Sequence, residues 1–384
     1  MRLRHASSSG FTRLAVTHAA NLAADGFVAV GLAGSIFFTA PADEARGPVL
    51  TYLLATMLPF ALVTPVIGPA LDRFGRSRRL LVAGGSLLRA ALCLAMARHL
   101  HSLLLFPEAS LALALSKGYL VAKGAMVPSI VPDPRLLVEA NGRLTLIGAL
   151  GGLGGGALAA GFLVLSTPTV VLVAGALVNL LATAAALRLP RGAFAGVEDG
   201  GPSETEQVQA KRAMTALRGG VGFFTFLVAF ALKEAREPSW AFGLVFAASA
   251  VGGLVGSLVA PRLRRRTGEE VILIGSLLIP AAVAVLSARA QGRLATAALA
   301  GAMAVGATGG RLAFDSLLQR GGRARHGRAF ARLEARFQLS WTAGAVIGVL
   351  VPISSRVGFL ALAVLLGAAG LSLVGNTRRP RSGA

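Results

Sequence analysis

Between Leu144 and Leu187 the chain carries no charged side chain. No water-facing helix or strand can be built from such a stretch. A bilayer accepts it, because one spanning helix needs about 20 consecutive apolar residues. The run is too long for a single crossing, and Ser166-Thr167-Pro168-Thr169 divides it. Proline ends a helix because it cannot continue the hydrogen-bond ladder. Two spanning helices are therefore expected from this run alone.

The same punctuation recurs along the chain. Twelve apolar segments are expected, at about 14–38, 48–71, 80–97, 102–130, 136–165, 170–187, 213–232, 239–260, 271–287, 294–318, 337–353 and 357–374. Charged residues make up 14% of the chain and hydrophobic ones 54%, less charge than a soluble surface of this size carries. This is an all-α, multi-pass membrane chain. Its 48 glycines suit lipid, where small residues let helix backbones approach closely. Residues 1–13 could pass for the charged start of a signal peptide, but the run that follows is too long, so a retained first helix is expected.

The net charge of +21 does not point to nucleic acid. The arginines come in short bursts between apolar segments, where they set orientation. Bursts at the N-terminus, 73–79, 262–266, 320–336 and the C-terminal tail alternate with loops that are acidic, neutral or carry one or two arginines at most. That alternation predicts both termini in the cytoplasm. Scarce lysine beside arginine, with abundant alanine, points to a GC-rich bacterial genome and so to a bacterial inner (plasma) membrane. Cys93 is the one cysteine, so no internal disulfide or cysteine metal site can form. The histidines lack close partners, no hydrolytic constellation is present, and no phosphate-cradling lysine loop points to ATP. No catalytic residue, metal or cofactor is expected.

The turn after the second segment reads Gly68-Pro69-Ala70-Leu71-Asp72-Arg73-Phe74-Gly75-Arg76-Ser77-Arg78-Arg79. It resembles the signature loop of major facilitator superfamily transporters, G-x-L-a-D-r-x-G-r-k-x-x-l. Gly68, Asp72, Arg73, Gly75, Arg76 and the closing Leu80 match. Ala70-Leu71 reverses two positions, and Ser77 stands in the lysine slot. Pro261 to Arg266 mirrors this loop, with Gly256 and Leu258 in place but Ala260 where the acid would be. Gly68 and Gly256 lie close to half the chain apart, which argues for internal duplication. The resemblance implies two pseudo-symmetric six-helix halves, residues 1–190 and 213–384, joined by a cytoplasmic loop at 191–212. It also implies that Asp72 and the loop arginines latch the cytoplasmic gate.

In that superfamily, segments 1, 4, 7 and 10 line the central cavity. Here segment 1 carries Asn21 and Asp25, segment 4 Lys117 and Lys123, and segment 10 Arg311 and Asp315. Charges at membrane depth are costly, so they should face one another or water. At about 1.5 Å per residue Asp25 lies roughly 16 Å deep, near the bilayer centre. Lys117 should reach the same level and pair with it, either as a coupling site or as a fixed structural pair. Arg89 on segment 3 should reach inward to a partner that the sequence does not identify. Glu139 and Arg143 should pair across one helical turn. Gly148, Gly152 and Gly156 form a small-residue stripe for helix packing. The stripe also resembles the glycine-rich fifth-helix motif of drug/proton antiporters, though the proline of that motif is missing.

What the resemblance implies is a proton-coupled exporter of a small amphipathic molecule, acting as a monomer by alternating access. A lipid or lysolipid flippase and an uptake symporter share the fold. A transport-inactive scaffold or sensor is the alternative from another class. Its partners would be the small-molecule substrate, protons and the lipid bilayer.

Overall fold

The computed structural model describes residues 8–32, 78–131, 133–190, 203–320 and 326–377. Eleven α-helices occupy them: α1 Ser8–Leu32, α2 Arg78–Arg98, α3 Leu105–Ile130, α4 Leu137–Leu165, α5 Pro168–Leu187, α6 Glu204–Glu234, α7 Ser239–Arg264, α8 Glu269–Ala290, α9 Arg293–Arg320, α10 His326–Leu350 and α11 Ser355–Thr377. A single 3-10 turn, Pro134–Leu136, precedes α4. Nine of these helices are long and apolar enough to cross a membrane. The other two, α3 and α10, carry more charge: Glu108, Lys117 and Lys123 on the former, Arg332, Glu334 and Arg336 on the latter. The second expected segment at 48–71 lies outside the described residues. So does the signature loop up to Ser77, with Gly68, Asp72, Arg73, Gly75 and Arg76.

The breaks have local causes. Asp133 caps the 3-10 turn by accepting from the Arg135 amide at 2.9 Å, after which the chain re-enters helix. Pro168 opens α5 at a position whose amide would be unsatisfied anyway. Between α8 and α9 the chain turns through Gln291 and Gly292, at φ 51° and 88°. The second of these is a backbone conformation that glycine adopts without a Cβ clash.

Two boundaries differ from the sequence expectation. The central loop does not run to residue 212, because α6 already begins at Glu204. Ser203 and Glu206 form a capping box there: the Ser203 hydroxyl accepts from the Glu206 amide at 3.2 Å, and the Glu206 carboxylate accepts from the Ser203 amide at 2.9 Å. The reciprocal bonds satisfy two orphan donors and start the helix early. The basic stretch before the eleventh expected segment is likewise helical from His326.

The chain divides into two compact units. Their described residues are 8–32, 78–190 and 326–334 in the first, and 203–320 and 335–377 in the second. In the first, α1 packs along α4 and α5, and α2 along α3 and α5. The α1–α4 contact runs at backbone level. A Cβ on Gly26 would lie 2.5 Å from the Gly156 nitrogen and 2.7 Å from the Gly152 carbonyl oxygen. One on Gly151 would lie 2.6 Å from the Ala19 carbonyl oxygen, and Gly155 meets Ala23 still more closely. The opposite side of α4 exposes Leu150, Leu153, Leu158, Val164 and Leu165, each more than 60% accessible. Such a continuous apolar face is stable only against lipid.

The second unit uses the same device. α7 meets α9 through Gly252 and Gly301 and through Gly256 and Val305. α6 meets α10 through Gly222 with Trp341, Gly344 with Gly219, and Gly348 with Phe223. Without a hydrophobic drive between helices in lipid, close backbone packing of this kind supplies much of the association energy.

The small-residue stripe on α4 is broader than a four-residue repeat: Gly152 and Gly156 meet Gly26 through their backbone atoms, beside a second row. The positions that leave no room for a Cβ are Gly148, Gly151 and Gly155. Gly152 has ordinary contacts, and a Cβ on Gly156 would meet nothing within 4 Å. A strict four-residue spacing drifts by about 40° per step around a helix of 3.6 residues per turn. A stripe that stays on one face must alternate steps of three and four.

Candidate functional site

Three polar stripes face one another in the first unit. On α1 they are His18, Asn21 and Asp25; on α2, Ser86 and Arg89; on α3, Ser116 and Tyr119. Each set is spaced by three or four residues, which keeps it on one helix face. Asp25 joins all three helices. Its Oδ1 accepts from the Arg89 guanidinium, and its Oδ2 accepts from the Ser116 hydroxyl at 2.8 Å. One turn earlier, Asn21 Oδ1 accepts from Ser86 at 3.1 Å and from Arg89 Nη1 at 3.3 Å. The Asn21 amide donates back to the Thr17 carbonyl at 2.9 Å, which fixes its orientation. His18 Nδ1 lies 3.2 Å from the Tyr119 hydroxyl, with the two rings stacked. Gly148 gives the His18 ring its space, since a Cβ there would come 2.5 Å from Nε2.

Exposure is unequal within the ion pair. Arg89 is 2% accessible and Asp25 33%. The guanidinium is thus fixed and desolvated, while part of the carboxylate stays open to a proton or a cationic group. Arg89 Nε is buried with no hydrogen-bond partner among the described residues. In a low-dielectric interior an unmet donor is costly, so the guanidinium depends on its Asp25 and Asn21 partners.

Arg89 is the inward-reaching cation whose partner the sequence did not identify, and the expected pairing of Asp25 with Lys117 is not formed. Ser116 takes the place on α3 that faces Asp25. Lys117, one residue on, is turned about 100° around the helix and is half-buried. Lys123 lies two turns further along α3 than Ser116. Depth along a helix could be read from the sequence, but direction around it could not. The signal that favoured Arg89 was its position in the middle of the segment 80–97, which carries no other charge.

In the second unit, Arg311 Nε lies 2.9 to 3.0 Å from both carboxylate oxygens of Asp315, one turn further along α9. A further cluster was missed in the sequence. Glu269, 3% accessible, accepts from the Ser316 hydroxyl at 3.1 Å and pairs with Arg264 at 2.9 Å and Arg320 at 3.1 Å. Three helix ends meet here with matched charge. The acid stands at the start of α8, and the arginines in the last turns of α7 and α9, as the helix dipoles favour. Ala260 occupies the acid's place in the mirrored loop, and Glu269 supplies a carboxylate nine residues later. Its sequence signal was an acid directly after Gly268.

Elsewhere Glu139 and Arg143 pair at 2.7 Å across one turn. Trp240, 57% accessible, lies under the Arg293 guanidinium at 4.9 Å, and Arg293 also pairs with Glu237 at 2.5 Å. That arrangement suits an anchor at a membrane–water boundary. Among the described residues no group of three or more His, Cys, Asp or Glu comes together as a metal ion would require.

Comparison with known proteins agrees with this architecture. The model of the Major Facilitator Superfamily matches residues 26–320. An uncharacterised protein of Mycobacterium leprae is 31% identical, over 94% of this chain and 70% of its own length. Among solved structures, the human organic anion transporter MFSD10 aligns with a TM-score of 0.73 at 14% identity, covering 95% of this chain and 98% of its own. A bacterial homologue of the iron transporter ferroportin, in an outward-facing state, aligns with a TM-score of 0.71 at 19% identity, covering 96% and 99%.

Proposed function

The chain belongs to the Major Facilitator Superfamily, and from that premise we propose a secondary active transporter that exports a small amphipathic molecule in exchange for protons. It works by alternating access between two six-helix halves, joined through the segment between α5 and α6. It sits as a monomer in a bacterial plasma membrane with both termini in the cytoplasm, as the arginine bursts favour.

The observation that carries this reading is Asp25, the half-open carboxylate held by Arg89 and Ser116. A proton on Asp25 removes the charge that Arg89 neutralises and weakens the tie of α1 to α2 and α3. Arg89 remains held by Asn21, so the guanidinium stays in place while α1 is released. A ligand shifts an equilibrium only by its difference in affinity for two states. Here the proton favours the state in which the Asp25 link is loosened. Lys117, Lys123, Arg311 and Asp315 border the substrate path. Asp72, with Gly68, Arg73, Gly75 and Arg76, latches the cytoplasmic side in the first half, and Glu269 with its two arginines performs the equivalent task in the second.

The test is reconstitution in proteoliposomes with and without an imposed pH gradient, over a panel of small cationic, anionic and neutral amphiphiles. At least one compound should accumulate only when the gradient is present. Equal movement in its absence removes the proton coupling. No movement of any compound returns the transport-inactive scaffold.

A further inference from the structure

Away from the polar clusters, a groove of about 530 Å³ runs between α6, α10 and α11 in the second unit. Its mouth carries Arg212 and Arg336, both exposed. Its floor is Gly219 and Gly344, which meet at backbone level. Ile347 and Leu365, 51% and 43% accessible, form apolar walls. Among the described residues no carboxylate lines the groove, and neither arginine forms an ion pair.

The dimensions are informative. Arg336 and Ile347 lie on one face of α10, about 16 Å apart along the axis at 1.5 Å per residue. Half of a hydrocarbon core about 30 Å thick is close to the same length. The groove therefore runs from the level where the apolar parts of α6 and α10 begin to about the bilayer midplane, the depth of one leaflet. A soluble anion would use the arginines and leave the apolar trough empty. A zwitterionic lipid would fill the trough but bring no net charge to two guanidiniums. A ligand with both an apolar chain and a net negative phosphate satisfies the whole surface.

We infer that this groove holds one acyl chain of an anionic phospholipid, with its phosphate between Arg212 and Arg336. The glycines serve two ends: they let α6 and α10 touch, and they leave a floor low enough for a chain to lie on. The inference does not depend on proton coupling or on the direction of transport.

Native mass spectrometry of the full-length protein in detergent tests it, with phosphatidylglycerol and phosphatidylcholine of identical chains as probes and glycerol 3-phosphate as the soluble competitor. One phosphatidylglycerol should remain bound when phosphatidylcholine has been stripped, and glycerol 3-phosphate should not displace it. Arg212→Gln with Arg336→Gln should weaken retention by about twenty-five-fold, because each interfacial charge contributes roughly fivefold. The double lysine variant, which keeps both charges, should stay within a few-fold of the parent. Ala343→Phe, which fills the trough, should also weaken retention. Equal retention of the two lipids, displacement by glycerol 3-phosphate, or an unchanged affinity in the glutamine variant would each overturn the inference.

Discussion

Arg89 reaches Asp25 with Nη2 and Asn21 with Nη1, so a single guanidinium on α2 holds two successive turns of α1. The planar fork of arginine makes this possible, whereas an ammonium is a point charge with no comparable span. Removing Arg89 strands a carboxylate that is 33% accessible, so the cost falls below that of a fully buried pair, at about 1.5–3 kcal/mol. Arg89→Gln should therefore lower the melting temperature in detergent markedly. Asp25→Asn added to it should restore part of the loss, since the stranded carboxylate is then gone. Strictly additive losses in this double-mutant cycle would mean the two residues do not act as a pair.

The glycine contacts make a position-by-position forecast. Gly151→Ala places a Cβ 2.6 Å from the Ala19 carbonyl oxygen and 2.9 Å from its Cα. Backbone cannot move aside as a side chain does, so overpacking should cost about 1–3 kcal/mol. Gly156→Ala adds its methyl to open space and should leave thermal stability unchanged. Equal effects of the two would show that α1 does not pack on α4 through this face.

Glu269 is a buried carboxylate whose charge is offset by two arginines. It is enclosed by Arg264, Arg320 and Ser316, so Glu269→Gln leaves two cations facing one another across three helix ends. A loss of about 3–5 kcal/mol is expected, visible as a lower unfolding temperature. If Glu269→Gln is as stable as the parent, the cluster contributes no net stability.

Much of the helical plan was legible because it rests on one-dimensional signals. Proline at 134 and 168, uncharged runs of spanning length, and arginine bursts each act locally, and the breaks fall where they predict. The α6 start was misplaced because Ser203 and Glu206 read as linker composition, although their three-residue spacing is that of a capping box. The polar site was half legible. Asn21 and Asp25 stood out as polar groups in an apolar helix, but their partners depend on the rotation of α2 and α3 about their axes. No spacing within a single helix determines that rotation, so Lys117 and Arg89 could not be ranked by depth. Glu269 was hidden for a related reason: a charge at a helix start reads as ordinary surface until the ends of α7 and α9 close over it.

The decisive prediction concerns Asp25→Asn. The amide keeps the side chain's shape and one acceptor for Arg89 or Ser116, but it cannot take up a proton in the working range. Gradient-driven accumulation should be lost, while exchange of substrate down its own gradient continues at a measurable rate, because the path itself is intact. Asp25→Glu restores a carboxylate on a side chain one carbon longer and should recover part of the coupled transport. Both variants must be compared with the parent at equal abundance in the membrane. If Asp25→Asn still concentrates substrate at the parent rate, the proton binds elsewhere. If the protein fails to reach the membrane while Asp25→Asn with Arg89→Gln does reach it, the pair is structural, and its role is to hold α1 against α2.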